Sequence, residues 1–129
     1  MSNSVLSFPK KEHLTGEIRV KRLFTEGNSF LAYPIKVVFL PDEPREIPLQ
    51  ALFSVPKRRF KRANKRNLLK RRMREAFRLH KSSLTGVLSE KALTIDVAFT
   101  YVANEPIAFS VIERKMIEAL NILKEKNAV

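Results

Sequence analysis

Thirteen lysines and arginines stand within residues 57–81 against a single acid, Glu75, a local net charge of +12. The whole chain of 129 residues also carries +12, so everything outside this stretch balances to zero. Such a concentrated excess is chemistry for a polyanion. Guanidinium forks grip phosphate oxygens in pairs, and ammonium groups act as point charges. Nucleic acid is the first candidate partner and an anionic membrane surface the second. A merely solvated helix face fits poorly. Arg66 with Lys70, Lys70 with Arg74, and Arg74 with Arg78 are like-charged i, i+4 pairs whose repulsion costs stability, and bound phosphate would offset it. A disordered basic tail fits no better, because the segment is internal and interleaved with apolar residues.

Other chemistry has little material. The chain contains no cysteine, which removes disulfides, thiolate metal sites and a cysteine nucleophile. Its two histidines, His13 and His80, have no ligand spacing between them. His80 falls on an apolar helix stripe and reads as a packing residue or a helix-end cation. Three glycines leave no phosphate-cradling loop. Asp96 lies in a strand and reads as a solvent-facing or hydrogen-bonded residue ahead of a catalytic one. No nucleophile stands beside an evident base. No N-terminal stretch reads as a signal peptide, and no run approaches the roughly 20 apolar residues that span a bilayer. The expectation is a soluble cytoplasmic protein with no membrane partner; no protein oligomer is predicted, and the sequence does not give the oligomeric state.

The elements that must position the cations follow from periodicity. Residues 1–14 read as a flexible leader and residues 15–129 as one domain. Thr15 is placed to cap a helix over residues 16–26, with Val20, Leu23 and Phe24 as its apolar stripe and Gly27 as its stop. Residues 30–40 read as a strand, best over 35–40, and a short strand within 28–33 could add an edge. Residues 41–44 read as a turn and residues 49–55 as a second strand, with Ala51, Phe53 and Val55 on one face. Residues 57–63 are a basic loop.

Residues 64–81 turn helical. At 100° per residue, Leu69, Met73, Ala76, Phe77 and His80 form a packing stripe. Asn67, Arg71, Arg74 and Arg78 form a polar stripe beside it, with Lys70 on its margin. Residues 82–93 read as a connection. Residues 94–102 form an alternating strand, with Ile95, Val97, Phe99 and Tyr101 on one face. Ser110 with Glu113 gives a capping-box pattern before a last helix that ends near Lys126. The predicted fold is α+β, a small mostly antiparallel sheet packed with three helices. The element order is α-β-β-(β)-α-β-α.

Phe24, Phe30, Tyr33, Phe39 and Phe60 are aromatics that could stack on unpaired bases, although most large aromatics serve the core. The basic helix follows a strand and a loop in place of a helix-turn, which favours RNA over duplex DNA.

The run Phe53-Ser54-Val55-Pro56-Lys57-Arg58, followed by Lys65-Arg66-Asn67-Leu68-Leu69-Lys70-Arg71-Arg72-Met73-Arg74-Glu75-Ala76-Phe77-Arg78, closely resembles the signature of the bacterial ribonuclease P protein subunit. The resemblance extends over residues 8–126. It includes the short helix ending in Leu23-Phe24-Thr25-Glu26-Gly27. The family motif reads Arg-Asn-Arg, a hydrophobic residue, Lys-Arg and a later Arg. Arg66, Asn67, Lys70, Arg71 and Arg74 match it, while Leu68 stands where the third position is arginine.

The resemblance implies a fold with a left-handed crossover between parallel strands, rare by general rules. It also implies a protein that binds a catalytic RNA subunit and precursor tRNA. In that assembly the RNA uses Mg2+ to remove the 5′ leader, so the chain itself has no catalytic or metal-binding residue. The implied RNA-binding residues are Lys57, Arg58, Lys61, Arg62, Lys65, Arg66, Asn67, Lys70, Arg71, Arg74 and Arg78. Phe24, with Val38 or Phe39 opposite, would line a cleft for the single-stranded leader. A ribosomal or assembly protein that binds RNA without a role in cleavage is the alternative, because the charge distribution fits it equally. A self-contained nuclease is the third reading and lacks an acid–base or metal constellation.

Overall fold

A four-stranded sheet, with the strands Asn28–Ala32, Ile35–Asp42, Thr94–Tyr101 and Leu49–Ser54 side by side in that order, organises the molecule. A computed structural model of the chain describes residues 7–127. The element order is α1 (Glu17–Glu26), β1 (Asn28–Ala32), β2 (Ile35–Asp42), β3 (Leu49–Ser54), α2 (Ala63–His80), α3 (Ser82–Glu90), β4 (Thr94–Tyr101) and α4 (Phe109–Asn127). The pairs β1–β2 and β2–β4 are antiparallel, and β3–β4 is parallel. A parallel pair needs a long crossover, and α2 with α3 supplies it. The sheet is therefore mixed and mostly antiparallel, within an α+β fold.

The two faces of the sheet bury different clusters, as alternation demands. Ile35, Val37 and Phe39 of β2 join Ile95, Val97, Phe99 and Tyr101 of β4 in the main core. Leu69, Met73, Ala76 and Phe77 of α2 and Ile112, Met116, Ala119, Leu120 and Leu123 of α4 close that core. These are the stripes the 3.6-residue period predicts, except that His80 is only half-buried. On the opposite face Val38 and Ala98 pack with Leu14 and with Leu23 of α1. A Cβ at Gly27 would approach the Phe39 carbonyl oxygen to 2.9 Å, so glycine permits α1 to end against β2.

Several local expectations are overturned. The edge strand expected within residues 28–33 is β1, and the strand read best over 35–40 is β2; the two pair as a hairpin that turns at Tyr33–Pro34, but β2 runs on through Pro41 to Asp42, where a turn was expected. Residues 82–93 contain a fourth helix, α3, with Leu84 and Leu88 buried. Serines and Gly86 lower its intrinsic propensity, and tertiary burial of the i, i+4 leucines overrides that. Thr15 caps nothing. Gly16, at φ 96°, is the residue before α1, and no side chain caps it. The helix α4 starts at Phe109, which places Ser110 inside it, and Glu113 pairs with His80 at 2.8 Å.

The stretch read as leader is divided as well. Residues 1–6 lie outside the described residues, but residues 8–14 pack on the domain. His13 bridges to Ala51 beside β3, and the Leu14 amide donates to the Ala51 carbonyl at 2.8 Å. Phe8 stacks on His13 at 4.1 Å and meets Phe77 edge-on at 5.4 Å. Glu12 accepts from the buried Lys81 ammonium at 2.5 Å. This segment thereby covers one edge of the sheet.

Candidate nucleic-acid interface

The strand β3 ends at Ser54, Pro56 follows, and the basic segment leaves the sheet as a loop that feeds directly into α2. Phe60 anchors the loop. It is 8% exposed and meets the Tyr101 ring edge-on at 5.8 Å. Once Leu69, Met73, Ala76 and Phe77 are buried, the neighbouring helix edge must face outward. Asn67, Arg71 and Arg74 are exposed there, and Lys70 is half-buried on the margin. Lys57, Arg58, Lys61, Arg62 and Lys65 are exposed along the loop and first turn. Among the described residues, no ion pair neutralises Lys57, Arg58, Lys61, Arg62, Lys65, Lys70, Arg71 or Arg74. The first turn of α2 has no acidic residue either. The surface is thus cationic along its length, with donors and no carboxylate between them.

The other cations of the segment are engaged internally. Arg78 donates to both carboxylate oxygens of Glu75, at 3.0 and 2.6 Å. That hydrogen bonding, against some burial, holds the Glu75 carboxyl below its ordinary value, so the pair stays ionised and its charges offset. Arg66 donates from Nη1 to the Phe60 and Lys61 carbonyls, each at 2.8 Å. Arg72 donates to the Ile107 carbonyl at 2.7 Å and Arg59 to Asn104 Oδ1 at 2.7 Å. Sequence periodicity carried no sign of the last two, because their acceptors lie 35 and 45 residues away.

The expected cleft residues separate. Phe24, on α1, is 49% exposed. Val38 lies on the α1 side of the sheet, 7% exposed in the cluster with Leu23. Phe39 is not beside them. It is 5% exposed on the opposite face, against Phe30, because adjacent strand residues point to opposite sides. Phe60 is buried, and Tyr33 is 53% exposed at the hairpin turn. Sequence reasoning missed Lys36. The register aligns Leu31, Lys36, Thr100 and Ser54 in one row across the sheet, next to the row of Val38, Ala98 and Leu52 on which α1 packs. A lone lysine in the apolar run of residues 35–40 was the available signal.

Asp96 is 4% exposed and accepts from Arg19 at 2.7 Å and Arg45 at 2.6 Å. It is a hydrogen-bonded strand residue. His13 is held by Phe8 and His80 by Glu113. Among the described residues, no group of three or more His, Cys, Asp or Glu could hold a metal ion, and no helix is long and apolar enough to cross a membrane.

A small α+β protein with a mixed sheet, helices on both of its faces and an unneutralised cationic loop-and-helix edge is the class these features define. Comparison with known proteins specifies it further. The family model described as Ribonuclease P matches residues 8–124. The ribonuclease P protein component of Porphyromonas gingivalis is 39% identical over 120 residues, covering 92% of this chain and 88% of that protein. The component from Chlorobaculum tepidum is 35% identical over 126 residues, covering 92% and 81%. The fold matches the structure of Staphylococcus aureus RNase P protein with a TM-score of 0.71 at 21% identity, over 88% of this chain and 95% of that one. A second structure of the S. aureus protein matches at a TM-score of 0.62 and 25% identity, over 90% and 92%. The chain belongs to the ribonuclease P protein family.

Proposed function

We propose that this chain is the protein subunit of a ribonuclease P ribonucleoprotein, which binds the catalytic RNA subunit and the 5′ leader of precursor tRNA. The observation that carries the proposal is the exposed cationic edge of residues 57–74, unneutralised, in a chain of this family. Endonucleolytic removal of the leader, which forms the mature tRNA 5′ end, is assigned to the RNA. The chain offers no three-ligand metal cluster among its described residues. We assign the Mg2+ of the reaction to the RNA subunit as part of the same reading. Lys57, Arg58, Lys61, Arg62, Lys65, Lys70, Arg71 and Arg74 neutralise phosphates and release their counterions, and the uncharged Asn67 offers a hydrogen bond beside them. Those cations lessen the phosphate repulsion that magnesium would otherwise have to screen. The exposed Phe24 ring on α1 offers a stacking surface suited to an unpaired leader, and Lys36 an exposed cation on the same face of the sheet that α1 packs against. The cytoplasm is the proposed location.

Reconstitution with the cognate RNA subunit at low magnesium tests the proposal. The purified chain should stimulate precursor cleavage there and have no hydrolytic activity alone. RNA binding without stimulation at any magnesium concentration would favour the structural RNA-binder instead.

A further inference from the structure

We infer that Arg66, at the first position of the Arg-Asn motif, is a positioning residue for the basic loop and does not contact RNA phosphate. The inference rests on the RNA-binding reading above. At 100° per residue, Arg66 does not share the edge of Asn67, Arg71 and Arg74. It precedes Leu69, Met73 and Phe77 at i+3, i+7 and i+11, so it lies on the packing edge. The buried residues of α2 are on that edge. Arg66 is itself half-buried, in contrast to the exposed Lys65 and Asn67.

Its bonds agree with that placement. Nη1 carries two hydrogens, and the structure gives it two acceptors, the consecutive carbonyls of Phe60 and Lys61. A planar guanidinium bridges two acceptors in fixed geometry, which an ammonium on a flexible stem does poorly. Those carbonyls mark the bend where the loop becomes α2. On the other side of the bend, the Phe60 ring is held against Tyr101. Backbone and ring together fix the chain direction of Lys61 and Arg62, whose side chains are exposed. Arg59, through Asn104, and Arg72, through the Ile107 carbonyl, tie the loop and helix to the segment before α4. Three arginines of the cationic stretch thus act as internal braces, and the remaining cations are presented by them.

The salt dependence of binding separates the two roles, since its slope counts neutralised phosphates. Affinity for the cognate ribonuclease P RNA would be measured against salt for wild type, Arg66→Gln, Arg66→Lys and Arg71→Gln. Hydrogen exchange of the free protein over residues 57–62 would be followed in parallel. Arg66→Gln should weaken binding about tenfold, the equivalent of a lost charge-assisted bond, at an unchanged slope. Exchange over residues 57–62 should rise, and Arg66→Lys should restore neither property. Arg71→Gln should lower the slope by about one unit and leave exchange unchanged. A slope lowered by about one in Arg66→Gln, with exchange unchanged and Arg66→Lys restoring affinity, would overturn the inference. Should Arg66→Gln fail to fold, Arg66→Lys alone decides by the same two readouts. Salt-independent or absent binding by the wild type would overturn the RNA-binding reading itself, whereas the exchange measurement tests the brace without RNA.

Discussion

Arg19 of α1 donates to Asp96 of β4 at 2.7 Å, and Arg45, from the loop after β2, donates to the same carboxylate oxygen at 2.6 Å. Arg19 also reaches Gln50 of β3 at 2.5 Å. Asp96 thereby fastens the helix that carries Phe24 to β4 and to the loop after β2, and Arg19 itself reaches β3.

The two ends of this junction are unequal. Asp96→Asn leaves both guanidiniums without their shared charge and should cost about 3 kcal/mol of unfolding free energy. Arg19→Ala leaves Asp96 paired with Arg45 and should cost about 1 kcal/mol. Urea titration of the two variants measures the difference. Equal losses would show that Arg45 does not compensate.

Leu69, on α2, is fully buried in the main core. Leu69→Ala should lower stability by about 2–5 kcal/mol through lost burial and an unfilled cavity. Unaltered thermal unfolding would contradict the packing edge on which the placement of Arg66 also depends.

On the adjacent edge, Arg71→Ala and Arg74→Ala should leave stability nearly unchanged. Each should weaken RNA binding and reduce the slope of log affinity against log salt by about one unit. Filter-binding at several salt concentrations reads this directly. Unchanged slopes would place these residues away from the phosphate backbone.

Asp42 gives the fold an acid sensitivity. The Glu43 backbone amide donates to it at 2.8 Å and holds its carboxyl below the ordinary 3.8. Arg22 and Arg45 add to that effect, and burial opposes it. A carboxyl lowered on folding contributes stability that is present above its unfolded pKa. That contribution is lost as pH falls through the lower folded value. Stability should therefore decline below about pH 4, and Asp42→Asn should flatten part of that decline. Urea midpoints at about pH 6 and pH 3 test it. An equal loss in wild type and variant would remove Asp42 as a contributor.

The separation of packing and cationic edges on α2 was legible in the sequence, as was the inward face of α4. Both rest on the 100° period, a property of the local backbone. The strands β3 and β4 were legible for the corresponding reason, an alternation of period 2. The concentration of all net charge in residues 57–81 needed no structure at all. The two arms of the hairpin were legible as an edge strand within residues 28–33 and a strand over 35–40, but its turn was not, because Tyr33-Pro34 is not one of the Asn-Gly or Asp-Gly pairs that mark tight hairpins. The helix α3 was hidden by serines and a glycine whose weak propensity is outweighed by burial of Leu84 and Leu88.

The sequence by itself determined that this protein presents one cationic segment, backed by an apolar stripe, and its motif order pointed to the ribonuclease P protein family. Only the tertiary structure decided which of those cations are presented. Arg59 and Arg72 are claimed by Asn104 and Ile107, and Arg66 by the carbonyls of the loop it follows. Val38 and Phe39, neighbours in sequence, lie on opposite sides of the sheet. The physical reason is the same throughout. Periodicity tells which residues share a face. What covers that face, and which distant carbonyl takes a guanidinium's hydrogens, is set by contacts between segments far apart in the chain.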